Sequence, residues 1–177
     1  MSQKNLEILN LSDIHPGVSP GIASAYDEAV RVCLDRHHIS PQGFAINSPT
    51  DECVVHVSWE KADEVTRKAW ANNDDATEQA AYGVALAVIQ VTRGLVAVRR
   101  AETRTGADYY LAPSASVDHF EATYRLEVSG TDKGDTYVIR TRVRQKIEQV
   151  KRGSNNLPAI VSVVGFSALK IISDDVD

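Results

Sequence analysis

Three carboxylates on separate segments of this chain have the types and spacing that an oxygen-loving divalent cation requires. Asp108 stands in Gly106-Ala107-Asp108-Tyr109-Tyr110-Leu111 and Glu127 in Arg125-Leu126-Glu127-Val128-Ser129-Gly130. Glu78 follows in the run Asp75-Ala76-Thr77-Glu78. Carboxylate oxygens drawn from adjoining elements suit a hard divalent cation such as Mg2+. Two cations accompany them, Arg125 on the same segment as Glu127 and Lys146 further on. These five residues are the candidate site: Glu78, Asp108 and Glu127 as metal ligands, and Asp108, Glu127, Lys146 and Arg125 as catalytic groups.

The elements that must position them are legible from periodicity. Asp75 reads as an N-cap with Glu78 three residues on, a capping box that accounts for Glu78 without any metal. The helix continues through Ala80, Ala81, Val84, Ala85, Val88 and Ile89 to a stop at Gly94. Leu95 to Arg100 reads as a short strand, Ala107 to Leu111 as a second and Tyr124 to Ser129 as a third, with Pro113 to Asp118 as loop. Side chains alternate along a strand, so Arg125, Glu127 and Ser129 share one face and Asp108 and Tyr110 share another. A meander sets Asp108 beside Glu127, with cross-strand neighbours about 5 Å apart. Two carboxylates so close require a cation or a proton, or else separate pairing with arginines such as Arg99, Arg100 or Arg125.

Val138, Val143, Ile147 and Val150 mark a helix from Asp135 to Arg152, stopped by Gly153. Leu157 to Ile172 reads as one central strand, bent at Gly165. The tail Asp174-Asp175-Val176-Asp177 reads as solvated. Before residue 75, Gly21 to Arg36 carries a helical stripe, Cys53 to Trp59 alternates as a strand, and Trp59 to Trp70 reads as helix. Residues 1–19 read as loop. The whole reads as a single domain, with residues 1–74 as an N-terminal extension and 75–173 as the core.

Composition narrows the class. The chain has 177 residues, 43% hydrophobic and 24% charged, which fits one soluble domain. No apolar run approaches the roughly 20 residues of a membrane span, and the polar start Met-Ser-Gln-Lys-Asn-Leu-Glu lacks a signal peptide's apolar centre. Two cysteines, Cys33 and Cys53, read as buried thiols, so a reducing cytoplasm is expected. A net charge of −5 argues against charge-driven coating of nucleic acid. A local basic strip nonetheless runs through Arg140, Arg142, Arg144, Lys146, Lys151 and Arg152, either a solvated helix face or a phosphate-contacting surface.

Other signals are weaker. Leu11-Ser12-Asp13-Ile14-His15 resembles the first metal motif of calcineurin-like phosphoesterases, but the later motifs of that family are absent. Cys33 and His37 have metal-ligand spacing without a second pair. Gly130 to Gly134 lacks the lysine and hydroxyl of a nucleotide loop and reads as a turn. Trp59 and Trp70 read as core or edge packing.

The order helix–strand–strand–strand–helix–strand over Asp75 to Ser173, with Glu78, Asp108 and Glu127 at the acidic positions, resembles the PD-(D/E)xK, or restriction-endonuclease-like, superfamily. The segment is also similar to a set of small bacterial proteins, a likeness that carries no activity. The superfamily resemblance implies an α/β (α+β) fold with a central mixed sheet. It also implies Mg2+, with Mn2+ as a substitute, and phosphodiester cleavage of nucleic acid in a bacterial defence or mobile-element system. The departure is Ser129, where the superfamily carries lysine. Lys146 or Arg125 must then supply the cation. Failing that, the chain is a catalytically inactive nuclease fold that serves as a binding subunit for a protein partner or as a homodimer, without a membrane role.

Overall fold

The computed structural model describes residues 4–115, 121–153 and 155–177. Among the described residues it is an α+β protein of five helices and a seven-stranded mixed sheet, with α4 and α5 packed directly on the sheet. The elements run α1 (Leu11–Ile14), α2 (Pro20–Asp35), β1 (Gln42–Asn47), β2 (Glu52–Val57), α3 (Glu64–Ala69) and α4 (Asn73–Arg93). They continue β3 (Leu95–Arg100), β4 (Tyr109–Pro113), β5 (Tyr124–Thr131), α5 (Thr136–Lys151), β6 (Ala159–Gly165) and β7 (Lys170–Val176). The strand order across the sheet is β2-β1-β7-β6-β5-β4-β3.

β3, β4 and β5 form an antiparallel meander, and β5 pairs parallel with β6 across the α5 connection. The N-terminal residues extend the same sheet: β1 lies parallel to β7 and antiparallel to β2. Two apolar layers flank it. On one face α2 and α4 bury Tyr26, Val30, Leu34, Val84, Leu86 and Val88 against Leu126, Val128, Ile160 and Ile171. On the other, α5 alone buries Ile139, Val143 and Val150 against Val161, Val163 and Ile172. Each such side chain contributes about 1.5–3 kcal/mol of burial, which is ample to fix the orientation of α5.

Several expectations are corrected. The helix expected to open at Asp75 opens a turn earlier. Asn72 is its N-cap, and its side chain accepts from the amides of Asp74 and Asp75, so the capping-box role of Glu78 falls away. Asn and Asp cap about equally well, and the run Asn72-Asn73-Asp74-Asp75 offered both. The helix ends as expected, with Gly94 at φ 64°. The span Trp59 to Trp70 is helical only in α3, started by Asp63. Leu157 to Ile172 is no single bent strand: β6 and β7 are an antiparallel pair, joined through Phe166-Ser167-Ala168-Leu169, with Leu169 at φ 47°. That pairing brings the supposedly solvated tail into β7, where Asp175 binds Arg93 at 2.6 Å. α5 buries Ile139 rather than Val138. Gly130 belongs to β5 rather than to a turn. A Cβ there would sit 2.7 Å from the carbonyl of Thr77, so the glycine lets α4 lie close on the strand. The expected loop Pro113 to Asp118 starts later, with Pro113 the last residue of β4, and its stretch 116–118 lies outside the described residues. Residues 1–19 are not all loop: α1 forms, and Asn5 bridges to His56. Both cysteines are free. Among the described residues no helix is long and apolar enough to cross a membrane.

Candidate active-site cleft

The cleft exists because β5 outruns β4. β4 pairs with β5 only from Tyr109↔Leu126 to Leu111↔Tyr124, whereas β6 accompanies β5 from Arg125 to Thr131. Beyond Leu126 the β4-facing edge of β5 has no strand beside it, and its backbone groups need other partners. Asp108, one residue before β4, supplies the first. Its amide donates to the carbonyl of Leu126 at 2.7 Å, and its Oδ2 accepts from the amide of Val128 at 2.8 Å. Continuing the antiparallel register places Asp108 opposite Glu127, so the two carboxylates are neighbours.

Each carboxylate has its own donors. Oδ1 of Asp108 accepts from the Tyr82 hydroxyl at 2.9 Å, with a guanidinium nitrogen of Arg100 at 3.7 Å. The same hydroxyl lies 3.1 Å from Oε1 of Glu78. It has one proton for two acceptors. Burial, then the charge of Asp108, push the Tyr82 phenol well above its ordinary pKa, so it remains a donor. Arg100 stacks 4.3 Å over the Tyr82 ring and 4.8 Å over Tyr109, which fixes both groups.

Glu127 is 4% exposed. Lys146 donates to its Oε1 at 2.7 Å, and Gln149 donates to the same oxygen at 3.0 Å. Burial raises its pKa above the ordinary value, the nearby charge of Asp108 adds to this, and Lys146 pulls against both. α5 runs back along β5, so residues at i, i+4 and i+7, here Arg142, Lys146 and Gln149, form one row above the strand. Arg142 reaches the Ser129 hydroxyl at 3.2 Å and the Gly130 carbonyl at 3.1 Å, satisfying a second edge group of β5.

The cleft has two joined parts, of about 540 Å³ around Asp108 and Glu127 and about 680 Å³ along Ser129 to Lys133; Glu78, Val128 and Lys146 line both. Four of the five candidate residues thus meet here. Arg125 does not line the cleft. It is buried, and its Nε and Nη1 donate to the carbonyls of Leu157 (2.9 Å) and Thr105 (2.8 Å). In this structure Arg125 clamps two loops instead of meeting the carboxylate pair in the cleft.

The donor set suits a hard cation, since Glu78, Asp108 and Glu127 offer only carboxylate oxygens. Among the described residues, however, no three His, Cys, Asp or Glu side chains are already gathered to hold an ion. The Tyr82 hydroxyl stands between Glu78 and Asp108, so Asp108 and Glu127 form the nearer pair. Tyr82, Gln149 and the stacking role of Arg100 were not found from sequence. The four-residue step from Glu78 to Tyr82 on one helix face was the available signal.

The chain is thus an α+β protein with an acid–base cleft at a split between two strands. No family model, curated protein or solved structure matches it.

Proposed function

We propose that this chain has a restriction-endonuclease-like core whose cleft cleaves phosphodiester bonds of nucleic acid with the help of Mg2+. The observation that carries this reading is the 2.7 Å contact between Lys146 and Glu127. The cation that Ser129 cannot supply is brought by α5 to the carboxylate pair. When bound, a divalent ion supplies acidification of a water and charge to offset the phosphate oxygens. The chain's own groups do the rest. Val128 and Tyr82 lock the carboxylate of Asp108 in one orientation, and Gln149 and Lys146 lock that of Glu127. The Lys146 ammonium, aimed into the cleft, offsets negative charge growing on the phosphate as the bond to the leaving oxygen breaks. A bacterial defence or mobile-element setting rests on analogy of fold.

The test is cleavage of single- and double-stranded DNA and RNA with Mg2+ or Mn2+. Wild type should cut at least one substrate. Asp108→Ala and Glu127→Ala should lose at least about a thousandfold, and Lys146→Ala about a hundredfold, the cost of removing one charge-stabilising donor. A second reading, a catalytically silent nuclease fold that acts as a binding subunit for a protein partner or second copy, is favoured by one observation: Glu78 is held off Asp108 by Tyr82. Absence of cleavage on every substrate, with no metal uptake by calorimetry, would establish that reading instead.

A further inference from the structure

The basic strip on α5 is really two rows. Arg140, Arg142 and Arg144 are all exposed, but Arg142 and the half-buried Lys146 reach β5, whereas Arg140 and Arg144 make no side-chain hydrogen bond to it among the described residues. The inner pair differs from an ordinary solvated charge pattern because each member is already oriented by the strand beneath it. Lys146 is anchored on Glu127. Arg142 is anchored through a single nitrogen, Nη1, which serves both Ser129 and the carbonyl of Gly130. A guanidinium carries five N–H donors in a flat fork, and anchoring through Nη1 leaves the Nε–Nη2 side without a protein partner among the described residues. That side is the geometry that takes two oxygens of one phosphate. Three acids line the same part of the cleft: Asp132 is engaged by Arg36 at 3.1 Å and His37 at 3.0 Å, while Asp74 and Glu78 stand on α4 across from Arg142, Lys133 and Lys146.

We infer that Arg142, held on Ser129, is an anion subsite that takes the phosphate next to the one being cleaved, so that a single nucleic-acid strand lies along the inner row of α5. This rests on the nucleic-acid reading of the cleft. Four residues of helix advance about 6 Å, comparable with the step between neighbouring phosphates in an extended strand. A phosphate facing Lys146 therefore has its neighbour within reach of Arg142. Ser129 gains a reason as well. A long side chain at that position would occupy the space in which Arg142 is seated, so a small hydroxyl there and an arginine at 142 are parts of one arrangement. The two joined parts of the cleft are then the scissile position and the flanking position of one strand.

The experiment is binding of a short labelled DNA single strand by the full chain with Ca2+ in place of Mg2+, read by fluorescence anisotropy over a salt series. Arg142→Ala should weaken binding about tenfold, the worth of one charged hydrogen-bonded contact. It should also reduce the slope of log K against log salt by about 0.7, one phosphate for a single strand. Arg142→Lys should recover the slope but not all of the affinity, since an ammonium is not a fork. Arg144→Ala on the outer face should change affinity and slope less than Arg142→Ala. Replacing phosphates one at a time by neutral methylphosphonates should identify one position, adjacent to the cut site, where wild type loses affinity and Arg142→Ala loses none further. Binding with this coupling but no cleavage in Mg2+ would overturn the proposed chemistry and keep the subsite. Cleavage with no coupling at any position, equal effects of Arg142→Ala and Arg144→Ala, or no strand binding at all would overturn the subsite.

Discussion

Two of the strand edges that lack a neighbouring strand, the outer edge of β3 and the split beside β5, are closed in opposite ways. At the outer edge of the sheet, β3 is met by the N-terminal segment. His15 Nδ1 accepts from the amide of Ala97 at 2.9 Å, and the amide of Gly17 donates to the carbonyl of Ala97 at 2.8 Å. His15 is 0% exposed, so this edge is closed to bulk solvent. Burial drives the imidazole down to about 4, well below the ordinary 6.5, so it stays neutral near pH 7. At the inner split, β5 is met by Asp108 and Arg142, both charged and both in an open cleft. A neutral acceptor suits an edge that water cannot reach, because an unpaired charge there would be very costly. Charged partners suit an edge that water and ligands can reach. The same backbone requirement thus gives a structural joint in one place and a candidate site in the other.

The sharpest way to break this comparison is to remove one partner at each edge and compare unfolding in denaturant. His15→Ala leaves a buried amide unpaired and a cavity, and should cost about 3–4 kcal/mol. Asp108→Ala exposes the Val128 amide to cleft water and should cost only about 1 kcal/mol. Equal losses would mean that the two edges are not closed and open to solvent as described.

Acid should also separate them. The unfolded chain takes up a proton at residue 15 near pH 6.5, whereas the folded protein does so only near 4. Between those values the unfolded state binds more protons, so stability falls as pH drops. The contribution is fully present above pH 6.5 and is lost towards pH 4, amounting to about 3 kcal/mol. His15→Asn keeps a side-chain acceptor without a titrating ring, so the loss across that window should shrink by about this amount. An unchanged pH profile would show that the imidazole is hydrated in the fold.

A smaller effect refines the outer joint. A Cβ on Gly17 would sit 2.5 Å from the Arg99 amide nitrogen, a backbone atom that cannot step aside. Gly17→Ala should lower stability by about 2 kcal/mol, the cost of an overpacked contact. The folded variant should keep whatever cleft activity the wild type shows. Loss of activity with stability unchanged would mean that the outer joint and the cleft are coupled.

Much of the site was legible from sequence because strand alternation is a local rule. It placed Asp108 and Glu127 on neighbouring positions, and the third-strand departure at Ser129 directed attention to Lys146. The seat of Arg125 was hidden because alternation gives the face of a residue but not its hydrogen-bond partners, and the carbonyls of Leu157 and Thr105 come from distant segments. Four consecutive capping types, Asn72-Asn73-Asp74-Asp75, leave the cap ambiguous in sequence, and the structure selects Asn72. The pair β6 and β7 was merged because β-branched runs hide a tight connection that contains neither proline nor asparagine.

The sequence by itself determined the order of the elements from α4 to α5, the stop of α4 at Gly94, most of the inward stripe of α5 and the identity of the carboxylates. Those depend on contacts between residues a few positions apart. Only the tertiary structure decided that β5 outruns β4, that Tyr82 and Arg100 reach Asp108 and that Arg142 leans on Ser129. Those depend on how far each strand extends beside a partner remote in the chain, which no local pattern records.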